Sequence, residues 1–203
     1  MATTKPSVII IAGPNGAGKS TAARRLLTGA MRVTEFVNAD VIAQGLSAFE
    51  PEKAAMSAGR IMLTRLRELA GQRVSFAFET TLASRSFAPW IAQLCQDGYQ
   101  FHLFYNWVPS PEFSIARVAL RVQAGGHHVP AETIRRRFFG GIRNFFELYT
   151  PIATGWRCYN SSLDVPRLVA IGGKHYERIY DKPTWQEILR TRDALENESA
   201  ESR

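Results

Sequence analysis

Residues 13–21, GPNGAGKST, constrain this chain more than any other stretch of its sequence. They match the phosphate-binding loop (P-loop) pattern G-x-x-x-x-G-K-[ST]. An apolar, β-branched run at residues 7–12 precedes the loop, and residues 19–28 have the composition of a helix. A chance glycine-rich turn is the alternative, but strand, glycine loop and helix in succession is the arrangement that this motif requires. The sequence therefore predicts a nucleoside triphosphate held by backbone N–H groups and a helix N-terminus.

Within the loop, Lys19 is expected to reach the β- and γ-phosphates, and Ser20 to hold Mg²⁺. We expect ATP as the nucleotide, with GTP as the alternative. The guanine-recognition pattern N-K-x-D is absent from the sequence, as is the L-S-G-G-Q signature of transporter ATPases. The predicted nucleotide-binding residues are Gly13, Pro14, Asn15, Gly16, Ala17, Gly18, Lys19, Ser20 and Thr21.

Length and composition indicate one globular domain over residues 1–203, large enough to bury a core. Cys95 and Cys158 have neither disulfide-framework nor zinc-site spacing, so both are expected to be reduced core residues. No apolar run approaches the roughly 20 residues of a membrane span. Residues 1–6 carry no apolar signal-peptide region, so a cytoplasmic location is expected.

Strands and helices are predicted to alternate along the chain. Expected strands are 7–12, 34–38, 74–78, 99–108, 157–160, 167–171 and 175–180; expected helices are 19–28, 41–46 (helix or turn), 51–70, 86–96, 111–124, 131–149 and 185–195. Gly71 is a predicted helix C-cap, the pair Gly140 and Gly141 a predicted bend, and Gly172 with Gly173 a predicted hairpin turn. Residues 197–203 form a polar tail that is expected to fray. This alternation predicts an α/β, P-loop NTPase-type three-layer fold with a mainly parallel sheet.

Two acids follow predicted strands, where ligands bind in such sheets. Asp40 is the candidate general base, with a helix N-cap as the alternative role. Glu79 and Thr81 are candidates to hold the acceptor or the metal, and an ion pair with a surface arginine is the alternative for Glu79. The four tryptophans are expected in the core or a pocket wall. They are Trp90, Trp107, Trp156 and Trp185.

A basic segment at roughly 111–149 is predicted to form a helical, arginine-rich lid. Between Phe113 and Phe146 there are six arginines and a single acid, Glu132. Arg117 and Arg121 are spaced i, i+4, so they share one helix face and are expected to clamp the transferring phosphoryl group. A solvated helix face is the alternative. The net charge of +7 also supports a second hypothesis, a nucleic-acid-end kinase or RNA-linked P-loop protein.

Four segments together resemble the zeta-toxin family of P-loop kinases, and among these the short chromosomal members without a fused antitoxin. They are GPNGAGKST, FVNADVIA, FAFETTLASRS and RVALRVQAGGHHVPAETIRRRF, and the resemblance covers about residues 7–165. It implies a kinase that phosphorylates a sugar hydroxyl of a nucleotide sugar, UDP-N-acetylglucosamine in characterised members, and a toxin module with a separate antitoxin as partner. It also assigns Lys19 to the P-loop lysine, Asp40 to the catalytic base, Glu79 with Thr81 to substrate binding, and Arg121 to the γ-phosphate.

The sequence departs from that family at two places. The substrate loop of the family reads E-G-T-G-R, whereas this chain has E-T-T-L-A-S-R, which leaves Arg85 as the candidate substrate arginine. Residues 126–129, GHHV, stand where the family has its second lid arginine, and His127, His128 or Arg136 is the candidate to take that role. His127 is also a candidate for substrate binding. For the histidine pair, a position in a mobile loop is the alternative. Metal binding is not expected, because no further His or Cys lies at ligand spacing.

Overall fold

The computed structural model describes residues 5–31 and 33–201, and their strands form one seven-stranded sheet in the order β2-β3-β1-β4-β5-β6-β7. The first five strands in that order are parallel, whereas β6 and β7 are antiparallel additions at one edge. The strands are β1 (Ser7–Ala12), β2 (Glu35–Val37), β3 (Phe76–Thr80), β4 (Gln100–Trp107), β5 (Gly155–Asn160), β6 (Arg167–Gly173) and β7 (Tyr176–Ile179).

The described residues form seven α-helices, six between strands and one after β7: α1 (Lys19–Leu26), α2 (Ala39–Leu46), α3 (Pro51–Gly71), α4 (Phe87–Gln96), α5 (Pro111–Gln123), α6 (Ala131–Asn144) and α7 (Lys182–Glu201). Short π-helical segments follow α1 at Leu27–Met31 and α6 at Phe145–Tyr149, and a 3₁₀ turn occupies Thr150–Ile152. In the described ranges, no helix is both long and apolar enough to cross a lipid bilayer.

Strand β1 shows why the fold has three layers. Val8 and Ile10 join one apolar cluster, whereas Ile9 and Ile11 join another. Successive side chains of a strand point to opposite faces, so both faces of the sheet are covered by helices. The expected α/β three-layer fold with a mainly parallel sheet is confirmed.

The core contains the tryptophans, as predicted. Trp107 is fully buried, and Trp156 stacks on Trp185 with ring centroids 5.7 Å apart and an interplanar angle of 11°. Trp90 packs against Phe76 and Phe78 of β3. Both cysteines are free thiols, Cys158 buried and Cys95 half-buried.

Helix α3 ends differently from the prediction. Gly71 is still helical rather than a C-cap, and the left-handed residue after the helix is Arg73, at φ 54°. The guanidinium group of Arg73 donates hydrogen bonds of 3.1 and 3.2 Å to the carbonyl oxygen of Asp97. These bonds anchor a non-glycine residue in a conformation that its Cβ disfavours. Strand β3 accordingly begins at Phe76, two residues later than predicted.

Three further predictions need correction. The Gly140–Gly141 pair stays inside the regular helix α6, and the irregular backbone comes later, at Phe145–Tyr149. The β6–β7 hairpin turns after Gly173 rather than around it. Helix α7 runs to Glu201, through most of the predicted tail. Residues 202–203 of that tail, and residues 1–4 at the other end of the chain, lie outside the described residues.

Candidate active site

The P-loop lies between β1 and α1, and its glycines have a geometric reason. Gly13 adopts φ 139°, and a Cβ there would come within 2.2 Å of the Asn106 carbonyl oxygen on β4. Gly18 caps α1 in the left-handed conformation, at φ 73°. The contact at Gly13 excludes a side chain, and the left-handed backbone at Gly18 disfavours one. Both glycines let the loop curl tightly enough to present backbone N–H groups.

Lys19 is the buried cation of this loop. Its side chain is 8% exposed, its Nζ donates a 3.0 Å hydrogen bond to the Pro14 carbonyl oxygen, and Nζ lies 3.8 Å from Glu79 Oε1. Burial lowers the pKa of Lys19, an effect that the nearby carboxylates of Glu79 and Asp40 oppose. Charges on Arg121 and Arg137 lower the same pKa further, so both guanidinium groups act electrostatically on the P-loop.

Glu79 faces the P-loop from the carboxyl end of β3. Its Oε2 accepts 2.8 Å hydrogen bonds from Ser20 Oγ and from Asn38 Nδ2. The alternative role of Glu79, an ion pair with a surface arginine, is therefore wrong, because its partners belong to the site. Ser20 Oγ and the Glu79 carboxylate supply hard oxygen ligands of the kind that Mg²⁺ prefers.

These oxygens fit Mg²⁺ that is bound jointly with nucleotide phosphates. In the part of the chain that the structure describes, no three His, Cys, Asp or Glu side chains form a cluster able to hold a metal alone. Protein sites for Mg²⁺ commonly use one or two side-chain ligands together with substrate phosphates. Ser20 and Glu79 would be those protein ligands.

Asp40 lies in the first turn of α2, immediately after β2. The N-cap of that helix is Asn38, whose Oδ1 accepts hydrogen bonds from the backbone N–H groups of Asp40 (2.8 Å) and Val41 (3.3 Å). The alternative role of Asp40 as the N-cap is therefore wrong. Its exposed side chain has no hydrogen bond or ion pair with the described residues, and it is free to act on a ligand.

A cavity of about 500 Å³ brings these residues together beside the P-loop. It is bounded by the P-loop, the strand ends of β2 and β3, and helices α2, α3, α4 and α6. Its lining residues are Asn15, Lys19, Asn38, Ala39, Asp40, Met56, Gly59, Arg60, Met62, Leu63, Glu79, Thr80, Thr81, Ser86, Phe87 and Arg137. Five residues predicted from the sequence meet in this one space: Asn15, Lys19, Asp40, Glu79 and Thr81.

Arg137 is a site residue that sequence reasoning missed, as are Asn38 and Arg60 of the same cavity. It lines the cavity half-buried, and burial lowers the pKa of its guanidinium group while Asp40 raises it and Arg136 lowers it. The neighbouring Arg136 is exposed, and Arg135 pairs with Glu112 at 3.3 Å. One sequence signal could have selected Arg137 from the run of three arginines: it directly precedes the apolar residue Phe138, which is buried in the structure.

Arg117 is engaged by the protein's own backbone. Its guanidinium donates hydrogen bonds to the carbonyl oxygens of Ser161 (2.6 Å), Ser162 (3.2 Å) and Gly16 (3.5 Å). It also stacks over the Phe113 ring at 4.6 Å. A solvated helix face, the alternative interpretation, is therefore wrong for Arg117, which fastens α5 to the P-loop and to the residues after β5. It does not line the cavity.

Arg121 and His127 contact each other within the lid segment. Arg121 Nη2 donates a 2.8 Å hydrogen bond to the His127 carbonyl oxygen, and the backbone N–H of His128 donates one of 3.1 Å to Glu52 Oε1 on α3. The charge of Arg121 still acts on Lys19. Neither Arg121 nor His127 lines the cavity, so a role for Arg121 at the γ-phosphate and for His127 at the substrate stays a prediction.

Arg85 lies outside the cavity. Its side chain is 63% exposed, and its Nη1 lies 3.4 Å from Glu147 Oε2. The chain turns sharply before it, with Leu82 at φ 59°, so that Ser86 and Phe87 rather than Arg85 reach the cavity wall. The structure therefore does not place Arg85 at the cavity, where the predicted substrate arginine would lie.

Comparison with known proteins places these features in context. A family model described as "AAA domain" matches residues 8–137, more than half of the chain. An uncharacterized protein of Haemophilus influenzae is 28% identical over 130 residues, which are 64% of this chain and 91% of that protein.

Solved structures share the fold. The AvrRxo1-ORF1:AvrRxo1-ORF2 complex with sulphate ions matches with a TM-score of 0.74 at 15% identity, over 92% of this chain and 64% of that chain. The same complex with ATP gives 0.73 at 16% identity, with the same coverage. A structure of the PezAT chromosomal toxin-antitoxin system of Streptococcus pneumoniae gives 0.59 at 16% identity, over 98% of this chain and 88% of that chain. The present chain thus spans less than two thirds of the AvrRxo1 chain that it matches.

Proposed function

The chain belongs to the AAA domain family, and on that premise we propose that it is an ATP-dependent kinase that phosphorylates a hydroxyl group of a small molecule. One observation carries the proposal. Lys19, Asp40, Glu79 and Arg137 line a single cavity of about 500 Å³ beside the P-loop. The loop that would bind the phosphate donor thus adjoins a space for the acceptor, which is the arrangement that phosphoryl transfer requires.

Each residue has a distinct role in this proposal. Mg²⁺, when bound with ATP, neutralises charge on the β- and γ-phosphates, and Ser20 with Glu79 would hold it. Lys19 binds the phosphates of the donor, and Arg137 stabilises charge on the transferring group. Asp40 accepts the proton of the attacking hydroxyl, because it is the unpaired carboxylate of the cavity.

The outer wall of the cavity indicates the class of acceptor. Met56, Leu63 and Phe87 present apolar surface, and Met56 is 74% exposed. Arg60 lines the same wall and has no hydrogen bond or ion pair with the residues that the structure describes. A ring system would lie on the apolar wall, and an anionic group would bind Arg60. A nucleotide sugar has both features, so UDP-N-acetylglucosamine, which the sequence resemblance implies, is the first acceptor to test.

The test is incubation of the purified protein with ATP, Mg²⁺ and either UDP-N-acetylglucosamine or a metabolite extract, followed by mass spectrometry. We expect a new species that is heavier by one phosphate. Asp40→Asn should lower its rate of formation by about 10²–10⁴-fold while ATP still binds. Asp193→Asn, at an exposed position of α7, is the matched control and should behave like the parent. A parent-like rate for Asp40→Asn would remove Asp40 as the base, and no phosphorylated product in any extract would count against the kinase proposal.

The lid arginines argue against nucleic acid as the acceptor. Three of the six lid arginines are bound to carbonyl oxygens or to Glu112, so these three are not free to bind nucleic-acid phosphates. They are Arg117, Arg121 and Arg135. Binding to nucleic-acid phosphates would be strongly salt-dependent. Tight, salt-dependent binding of a labelled oligonucleotide at about 50 mM salt would reverse this preference.

A toxin with a separate antitoxin is the second candidate, because the structures named above are a toxin-antitoxin system and a two-protein complex. Its test is expression of the parent and of Asp40→Asn in bacterial cells. Growth arrest by the parent alone, relieved by a co-purifying small protein, would support it. Normal growth with both chains would oppose it.

A further inference from the structure

Both polar atoms of the Asn38 side chain make hydrogen bonds, one to Glu79 and the other to the backbone of Asp40. It follows β2 directly and is 7% exposed. Its Oδ1 accepts the N–H groups of Asp40 and Val41, which begins helix α2. Its Nδ2 donates a 2.8 Å hydrogen bond to Glu79 Oε2, on the neighbouring strand β3. A single amide therefore connects the helix that carries Asp40 to the carboxylate beside the P-loop.

We propose that Asn38 is a positioning residue that holds the Glu79 carboxylate in place for the nucleotide-bound metal ion and keeps it in a fixed relation to Asp40. The inference rests on the proposed function, because it assigns Glu79 to the metal and Asp40 to the acceptor. It adds a residue that touches neither the reacting atoms nor the metal.

The hydrogen bonds of Glu79 give the physical reason. Oε2 accepts from both Ser20 and Asn38, whereas Oε1 faces Lys19 at 3.8 Å. When the Ser20 hydroxyl turns to a cation, its hydrogen atom no longer serves Glu79. Of the two described donors to Oε2, Asn38 then remains. Partners that orient a ligating carboxylate typically change metal affinity or activity by about 10–100-fold when removed.

The chemistry of the amide explains why asparagine occupies this position. Ser, Thr and Asp cap a helix about as well as Asn, because each offers an oxygen to the first backbone N–H groups. Only a side chain with an oxygen and an N–H can cap α2 and donate to Glu79 at once. A purely structural N-cap would need only the oxygen, so the two roles can be separated by substitution.

The experiment compares Asn38→Ser with Asn38→Ala. Serine keeps a cap oxygen but is too short to reach Glu79, whereas alanine loses both contacts. Binding of Mn²⁺ in the presence of ADP is followed by electron paramagnetic resonance, and thermal unfolding is measured in parallel. We expect both variants to bind Mn²⁺ at least about 10-fold more weakly than the parent. Asn38→Ala should lose about 2–4 °C more of melting temperature than Asn38→Ser, because it alone lacks the cap oxygen.

Ser110→Ala is the matched control, because Ser110 caps α5 through a 3.1 Å bond from the Phe113 N–H, away from Glu79. It should lose melting temperature and keep its Mn²⁺ affinity. Asn38→Thr repeats the serine test if the serine variant fails to fold. Combining Asn38→Ser with Glu79→Gln should weaken Mn²⁺ no further than Glu79→Gln alone.

Mn²⁺ binding by Asn38→Ser at the parent's affinity would overturn the proposal, as would a parent that binds no Mn²⁺ with ADP. The measurement uses no acceptor. A failure to find a phosphorylated product would therefore reject the proposed function. The effect of Asn38 on Mn²⁺ affinity would remain a separate result.

Discussion

The carbonyl oxygen of Thr81 lies against Gly141, so closely that a Cβ on Gly141 would come within 2.6 Å of it. Two hydrogen bonds continue this contact: Asn144 Nδ2 donates to the Leu82 carbonyl oxygen at 2.7 Å, and the Tyr149 hydroxyl donates to that of Ser84 at 3.1 Å. The segment that carries Arg137 is thereby fastened to the chain that follows β3. Two walls of the cavity are held together as one unit.

We predict that Gly141→Ala destabilises the protein, because the new methyl group meets rigid backbone. Overpacking of this kind costs about 1–3 kcal/mol. Gly140→Ala is the matched control, since a Cβ there meets Ala83 at 3.6 Å, an ordinary contact, and alanine favours the helix by about 0.5–1 kcal/mol. Thermal unfolding should move the two melting temperatures in opposite directions. Equal melting temperatures would show that Thr81 yields to the added group.

The sequence predicted the parts of the site that are local in the chain. The P-loop pattern located Lys19 and Ser20, and the rule that ligands bind beyond the carboxyl ends of parallel strands selected Asp40 and Glu79. Lys19, Asp40 and Glu79 line the cavity, and Ser20 donates a hydrogen bond to Glu79. The start of α5 at Pro111 was also predicted, because helix starts depend on residues only two or three positions apart.

The lid could not be resolved from sequence, because it depends on contacts between distant segments. Which of three consecutive arginines faces the cavity follows from how Ile134, Phe138 and Ile142 pack α6 against the core. Arg117 was expected on phosphate but meets the Ser161 carbonyl oxygen, 44 positions later in the chain. No local pattern encodes either outcome.

We predict that Lys19→Met abolishes ATP binding and stabilises the nucleotide-free protein near neutral pH. Burial holds the pKa of Lys19 below its ordinary value of 10.5, so its charge costs the folded state free energy below that lowered pKa. Glu79 keeps its bonds to Ser20 and Asn38 in the variant. As pH rises toward 10.5, Lys19 of the parent loses its proton and with it this cost, whereas the Lys19→Met variant has no such cost at any pH. The difference in free energy of unfolding should therefore narrow, and a widening would contradict the pKa direction.

We predict that Arg137→Gln lowers the rate of phosphoryl transfer on the order of 10³-fold, because a cation is lost from the cavity at the transferring group. Arg136→Gln is the matched control: its neighbouring guanidinium is exposed and lines no part of the cavity. Single-turnover transfer with saturating ATP separates chemistry from binding. Equal losses in the two variants would point to the general charge of the lid rather than to the position of Arg137.

We predict that Arg60→Gln raises the KM for an anionic acceptor by about 10-fold or more and leaves the KM for ATP unchanged. Arg60 has no partner among the described residues, so it is available for a charge-assisted hydrogen bond to a phosphate or carboxylate, which contributes about 1.5–3 kcal/mol. Arg67→Gln provides the control, as an exposed arginine of the same helix outside the cavity. Initial rates with UDP-N-acetylglucosamine and with neutral N-acetylglucosamine complete the test. If Arg60 binds the anion, the substitution weakens the first acceptor and spares the second; equal effects on both would assign Arg60 to the shape of the cavity instead.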